Sequence, residues 1–120
     1  GPLAEHLARS VEVRSGLAAM TDAQVAELHP VLAPDVTEER HLRPGDDEPT
    51  VILLRQGAGF ARTIQADTAL AALAGVADGE LSVAQVADAV ASLLQVDPAA
   101  LRAQMVQSTR RLAADGFVEL

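Results

Sequence analysis

Three helix starts follow one another between Asp67 and Pro98, and no other feature limits the fold as much. Asp67 stands before Thr68-Ala69-Leu70, where a carboxylate can accept from an orphan amide of the first turn. Ser82 is followed three residues later by Gln85, the reciprocal pattern of a capping box. Asp97-Pro98 is a cap followed by proline at the first helical position, where its missing N–H is no loss. Asp78-Gly79 supplies a turn and Gly116 a C-cap, so the sequence predicts helices from Thr68 to about Val76, Ser82 to about Gln95, and Pro98 to about Ala114. Val83, Val86, Val90, Leu93 and Leu94 share one face of the second, and Leu101, Met105, Ser108 and Leu112 form the inner stripe of the third.

Ahead of this trio the period is two. Val36, Glu38, Arg40 and Leu42 alternate with Thr37, Glu39 and His41, a half-buried strand at best. Thr50 to Arg55 is the strongest strand signal. Gln56-Gly57-Ala58-Gly59 turns the chain into Phe60 to Gln65, and the two runs form a hairpin. A loop rich in proline and acid, Arg43 to Pro49, precedes them. Leu3 to Met20 carries a helical pattern that Gly16 breaks or ends. Thr21 with Gln24 is another capping box, for a short helix through Leu28 that Pro30 and Pro34 stop. Phe117 to Leu120 reads as a closing strand.

The expected architecture is α+β and winged helix-turn-helix-like: N-terminal helices, a β-hairpin, a three-helix core and a short C-terminal strand. Its 120 residues suit one core. Residues 1–35 form an N-terminal helical segment, in which Gly1-Pro2 without Met reads as a tag scar, and residues 36–120 form the winged-helix-like domain. Ile52, Leu54, Leu70, Leu73, Val86, Val90, Leu101, Met105, Leu112 and Phe117 are the expected core.

Composition removes several functions. No cysteine is present, which excludes disulfides, thiolate nucleophiles and cysteine metal sites in this chain. Nine cations, all arginine, face seventeen acids for a net charge of −8. That field opposes phosphate, so nucleic acid is disfavoured as a partner. No apolar run approaches the ~20 residues of a bilayer span, which points to a cytoplasmic domain without a membrane partner.

The remaining chemistry is thin. The Gly-x-Gly of Gln56 to Phe60 is followed by a strand rather than a helix, so it is a hairpin turn and no phosphate cradle. His6, His29 and His41 sit on separate segments without ligand spacing, and no metal site is expected. Ser82 is a helix cap and Ser108 lies on an apolar stripe. Glu38-Glu39 and Asp46-Asp47-Glu48 read as solvated charge. No catalytic or cofactor-binding residue emerges. The candidate partner-binding face is Arg55 and Arg62 on the hairpin with Arg102, Gln104, Gln107, Arg110 and Arg111 on the last helix, a setting for an acidic peptide, a carboxylate-rich face of a parent enzyme or RNA phosphate. In a DNA-binding regulator, the lesser alternative, the last helix would present Gln104, Gln107, Arg110 and Arg111 as its recognition face. Strand addition at the edge of Val51 to Arg55, beside the last helix, is the expected mode of peptide recognition.

The runs Gln65-Ala66-Asp67-Thr68-Ala69-Leu70, Asp78-Gly79-Glu80-Leu81-Ser82 and Leu112-Ala113-Ala114-Asp115-Gly116-Phe117, with Glu39 to Gly45 and Leu53 to Gly57, resemble the C-terminal winged-helix domain of actinobacterial class I S-adenosylmethionine-dependent methyltransferases. The resemblance covers about Val36 to Leu120. It implies a non-catalytic accessory domain that positions substrate or contacts protein. The parent's catalytic domain would be a partner and S-adenosylmethionine the cofactor held there. That family's glycine-rich loop and Asn-Pro-Pro-Phe/Tyr motif do not occur here, so no site residue carries over. Two other families share the outline. One is the peptide-binding chaperone of pyrroloquinoline quinone biosynthesis with its precursor-peptide-binding relatives. The other is the winged-helix tail of Jumonji-type cupin oxygenases.

Overall fold

The computed structural model describes residues 16–57 and 62–120. The expected helix over Leu3 to Arg14, His6, the Gly1-Pro2 scar and the tip Ala58 to Ala61 lie outside the described residues.

The chain is α+β: a three-stranded antiparallel sheet precedes three helices, and a short second ladder closes the far side. Residues 16–19 are helical, with Gly16 facing solvent and Leu17 buried. Helix α1, Asp22–Ala26, starts on the expected capping box. Thr21 Oγ1 accepts from the Gln24 amide at 3.1 Å, and Gln24 Oε1 accepts from the Thr21 amide at 2.8 Å. It stops short of Leu28, whose carbonyl accepts the Val83 amide at 2.9 Å instead of continuing a helix.

Strand β1, Val31–Leu32, fills what the two prolines left as a plain stop. It pairs antiparallel with β5, Val118–Glu119, and the Ala33 amide donates to the Phe117 carbonyl at 2.9 Å. Two residues are too few for a period to show.

The main sheet runs β2 (Val36–His41), β3 (Val51–Gln56), β4 (Arg62–Ala66), in that order. Glu38, Leu54 and Ile64 lie abreast, as do Arg40, Ile52 and Ala66. Side chains alternate across a strand, so those rows share the helix-facing side while Thr37, Glu39, Arg55 and Thr63 share the open side. Leu54 and Ile64 are buried, whereas Glu38 and Arg40 are exposed and pair with each other at 2.9 Å. The helices therefore cover β3 and β4 and leave β2 overhanging. This order corrects the expectation of a free edge at Val51 to Arg55. β3 is hydrogen-bonded on both sides, so among the described residues the open edges belong to β2 and β4.

Helices α2 (Thr68–Val76), α3 (Val83–Leu94) and α4 (Pro98–Ala114) begin where the caps place them. Asp67, Ser82 and Asp97 each accept the amide three residues on. Gln95 takes a left-handed conformation, φ 56°, and ends α3. Leu93 and Leu94, which helical spacing puts on the same face as Val83 and Val86, are 83% and 50% exposed, so that face is covered at its start and open at its end. Gly116, φ 80°, ends α4 and turns the chain so that the Phe117 amide reaches the Leu112 carbonyl at 2.8 Å.

Phe117, Leu73, Met105, Leu112, Val25 and Val83 are fully buried in one cluster with Leu54, Leu70, Val86 and Leu101; Ile52 and Val90 pack at its margin. Leu17 belongs to the same cluster, so the described part of the N-terminal segment is built into this core. Thr109 is fully buried, and its hydroxyl donates to the Met105 carbonyl at 2.8 Å, which removes the penalty of an unpaired polar group. None of the described helices is long and apolar enough to cross a membrane.

Candidate functional site

Of the two open edges, β2 is poorly suited to accept a further strand. Glu38, Glu39, Arg40 and His41 follow one another along it, and charged edge positions discourage pairing. These charges are mutually satisfied. Besides the Glu38–Arg40 pair, Glu39 receives Arg55 Nε at 2.6 Å and lies 3.5 Å from His41 Nε2. The hydrogen bond from Arg55 holds the Glu39 carboxyl below its ordinary range, against a smaller opposing push from desolvation.

β4 differs. Its sequence Arg62-Thr63-Ile64-Gln65-Ala66 has one charge, at the end. Among the described residues, no backbone or side-chain hydrogen bond outside its ladder with β3 engages the backbone of β4.

The strand is also tied to α4 at both ends. Arg62 Nη1 meets Asp115 Oδ1 at 3.3 Å, just past the helix C-terminus. Gln104 Nε2 reaches Asp67 Oδ2 at 3.5 Å, one residue past the strand. Strand residues advance ~3.3 Å and helical residues ~1.5 Å each, so both stretches span roughly 16 Å and run antiparallel side by side. Helical spacing places Gln104, Ser108, Arg111 and Asp115 on one line along α4, since residues three and four apart stack on one face. Because its two end members hold β4, that line is the wall facing the strand. Ser108 is buried and gives its hydroxyl to the Gln104 carbonyl, while Gln107 and Arg111 are exposed.

The seven residues of the expected face are thus not gathered together. Arg62, Gln104 and Arg111 belong to the β4–α4 strip, with Gln107 exposed beside it. Arg55 lies on the opposite face of the sheet, between Glu39 and Thr63. Arg102 makes a two-pronged bridge to Asp88 on α3, at 2.8 and 2.5 Å. That bridge lowers the Asp88 pKa and raises that of Arg102, through the hydrogen bond first. Arg110 turns to the N-terminal segment. It donates to the Leu17 and Met20 carbonyls at 2.6 and 2.8 Å and pairs with Asp22 at 2.9 Å. Helical spacing alone could not separate Arg110 from Arg111; only the packing of residues 17–22 on α4 does.

Sequence reasoning did not find the pocket at the Asp67 end of the strip. It has a volume of about 320 Å³; Leu94, Val96, Ala100 and Leu101 form its apolar wall, and Asp67, Thr68, Asp97 and Gln104 its polar side. The surplus apolar residues at the end of α3 were the available signal. Among the described residues, no group of three or more histidines or carboxylates converges as a metal site.

No protein-family model and no curated protein matches the chain. Among solved structures it is similar to the PqqD truncation of Methylobacterium extorquens PqqCD, whose solution structure represents a functional and stand-alone RiPP recognition element. The match has a TM-score of 0.61 and 22% identity, and covers 87% of this chain and 98% of that one. At that identity the likeness concerns the fold. It overturns the expected kinship with methyltransferase winged-helix domains: the structure this chain is similar to is a PqqD recognition element and not a methyltransferase domain. The runs that carried the expectation are caps, turns and core positions, which many sequences with these elements share.

Proposed function

We propose that this domain is a peptide-recognition module that takes an extended peptide as a fourth strand on the free edge of β4, beside α4. The observation that carries the reading is the β4–α4 strip, an edge strand without protective charges along its length and tied at both ends to the helix that runs antiparallel beside it. Main-chain hydrogen bonds to such an edge supply affinity whatever the sequence, and flanking side chains supply selectivity. The likeness in fold to a RiPP recognition element supports the same reading and a peptide or protein as the partner.

Selection from a displayed library of short random peptides, followed by amide shift mapping with the best binder, tests this. Binders at Kd of about 10 μM or tighter should move the amides of residues 62–66 and of the facing side of α4. Shifts centred on residues 36–41, or no binder at all, would remove the proposal.

A further inference from the structure

The β4–α4 strip has chemically different ends. At one end the pocket of about 320 Å³ begins at Asp67, the residue after β4, so it continues the line of the strand. Its walls include Leu94 and Val96, which are 50% and 47% exposed, apolar surface that the domain's own core does not cover. The volume is at the small end of ligand sites and has room for one large apolar side chain. At the other end stand Arg62 and Arg111. Arg62 is already engaged by Asp115. Arg111, a turn back from Asp115, is exposed and has no ion pair among the described residues. Asp115 already occupies Arg62, so Arg111 is the guanidinium left there for an incoming carboxylate, in a chain of net charge −8.

Direction connects the two ends. Every ladder among the described residues is antiparallel. A peptide added to β4 in the same sense places its N-terminal part beside Ala66 and the pocket, and its C-terminal part beside Arg62. The residues opposite Ala66 and Arg62 are then four apart in the peptide. Even spacing puts their side chains on one face of the strand, the face toward the helices, where Ile64 and Ala66 also point. We infer that the preferred ligand is a peptide with an aliphatic or aromatic residue followed four positions later by Asp or Glu, the apolar side chain entering the Leu94–Val96 pocket and the carboxylate meeting Arg111. This rests on the strand-addition reading and adds to it a chemistry, a spacing and a direction.

The test sequences the peptides retained from the random library and measures the best binder by fluorescence anisotropy against Arg111→Glu and Ala100→Phe. The expected result is enrichment of apolar-x-x-x-acid. Arg111→Glu should weaken the binder about fivefold, the scale of an exposed ion pair replaced by repulsion, and should favour the same peptide with Lys in place of its acid. Ala100→Phe, which fills the pocket, should weaken it about tenfold, the loss of one or two methylene groups' worth of burial. If Ala100→Phe melts early, Val96→Asp on the pocket wall replaces it. Retained peptides that move the β4 amides but lack the spacing, or that ignore both variants, overturn this inference and leave strand addition standing. If no peptide is retained, both fall.

Discussion

Arg110→Ala should destabilise the domain by about 2 kcal/mol while Arg111→Ala, one residue on, changes it by less than ~0.5 kcal/mol. The difference comes from what each guanidinium touches. Arg110 serves the Leu17 and Met20 carbonyls at 2.6 and 2.8 Å, and its side chain is only 22% exposed. Hydrogen bonds from a charged donor contribute ~1.5–3 kcal/mol when shielded; partial exposure and water able to reach the freed carbonyls reduce the pair to about 2. The added contact with Asp22, which is 65% exposed, contributes little beyond this. Arg110→Lys keeps the charge but not the fork that spans two carbonyls, so it should lose about half as much. Urea unfolding followed by circular dichroism is the assay. With a slope of ~1–3 kcal/mol/M, the Arg110→Ala midpoint should fall by about 1 M with the slope unchanged. Hydrogen exchange should locate the loss at the amides of Val25 and Leu28, which the packed N-terminal segment protects. Equal midpoints for Arg110→Ala and Arg111→Ala would refute the assignment of Arg110 as the clamp on residues 17–22.

Phe117→Ala removes the largest fully buried side chain and should lower stability by ~3–5 kcal/mol, read as a thermal or urea shift; a loss below ~1 would mean that the core closes elsewhere. Gly116→Ala should cost about 1 kcal/mol, almost all of it backbone strain at φ 80°, since the nearest group to a new Cβ is the Gln56 amide at an ordinary 3.7 Å. The folded-state pKa of Glu39 is depressed by Arg55, so its contribution to stability is present above the unfolded pKa and fades as pH falls through the folded one. NMR titration should show Glu39 below an ordinary glutamate, and Arg55→Ala should bring it back up; an unchanged midpoint would mean that the bond at 2.6 Å does not persist in water.

The helices were legible because their starts are local chemistry. Thr21 with Gln24, Ser82 with Gln85, Asp67 and Asp97-Pro98 each satisfy amides within three residues, and each sits where its pattern placed it. The sheet was legible strand by strand and not in its order. Leu42 to Thr50 is too long and too charged to read as a hairpin turn, so the pairing of β2 with β3 left no mark, and without it β3 looked like an edge. The candidate site suffered the same loss, since its composition depends on which strand is outermost. Arg111 and Gln104 were within reach of helical periodicity, but their separation from Arg55, Arg102 and Arg110 depends on contacts between residues far apart in the chain.

Those long separations also set an order of events. Arg110 is joined to Leu17 and Met20 across 93 and 90 residues, and β1 waits for β5. Closing a flexible loop of that length opposes docking by roughly 4 kcal/mol of chain entropy, against about half that for loops of ten residues. The hairpin strands and the three helices can therefore assemble from near neighbours, while residues 17–33 attach after them. On the ribosome, at ~5–20 residues per second, that segment emerges seconds before its partners exist. During that interval Leu17 and Val25 are uncovered apolar side chains. Their protection in the cell depends on the rate at which residues 105–119 are made.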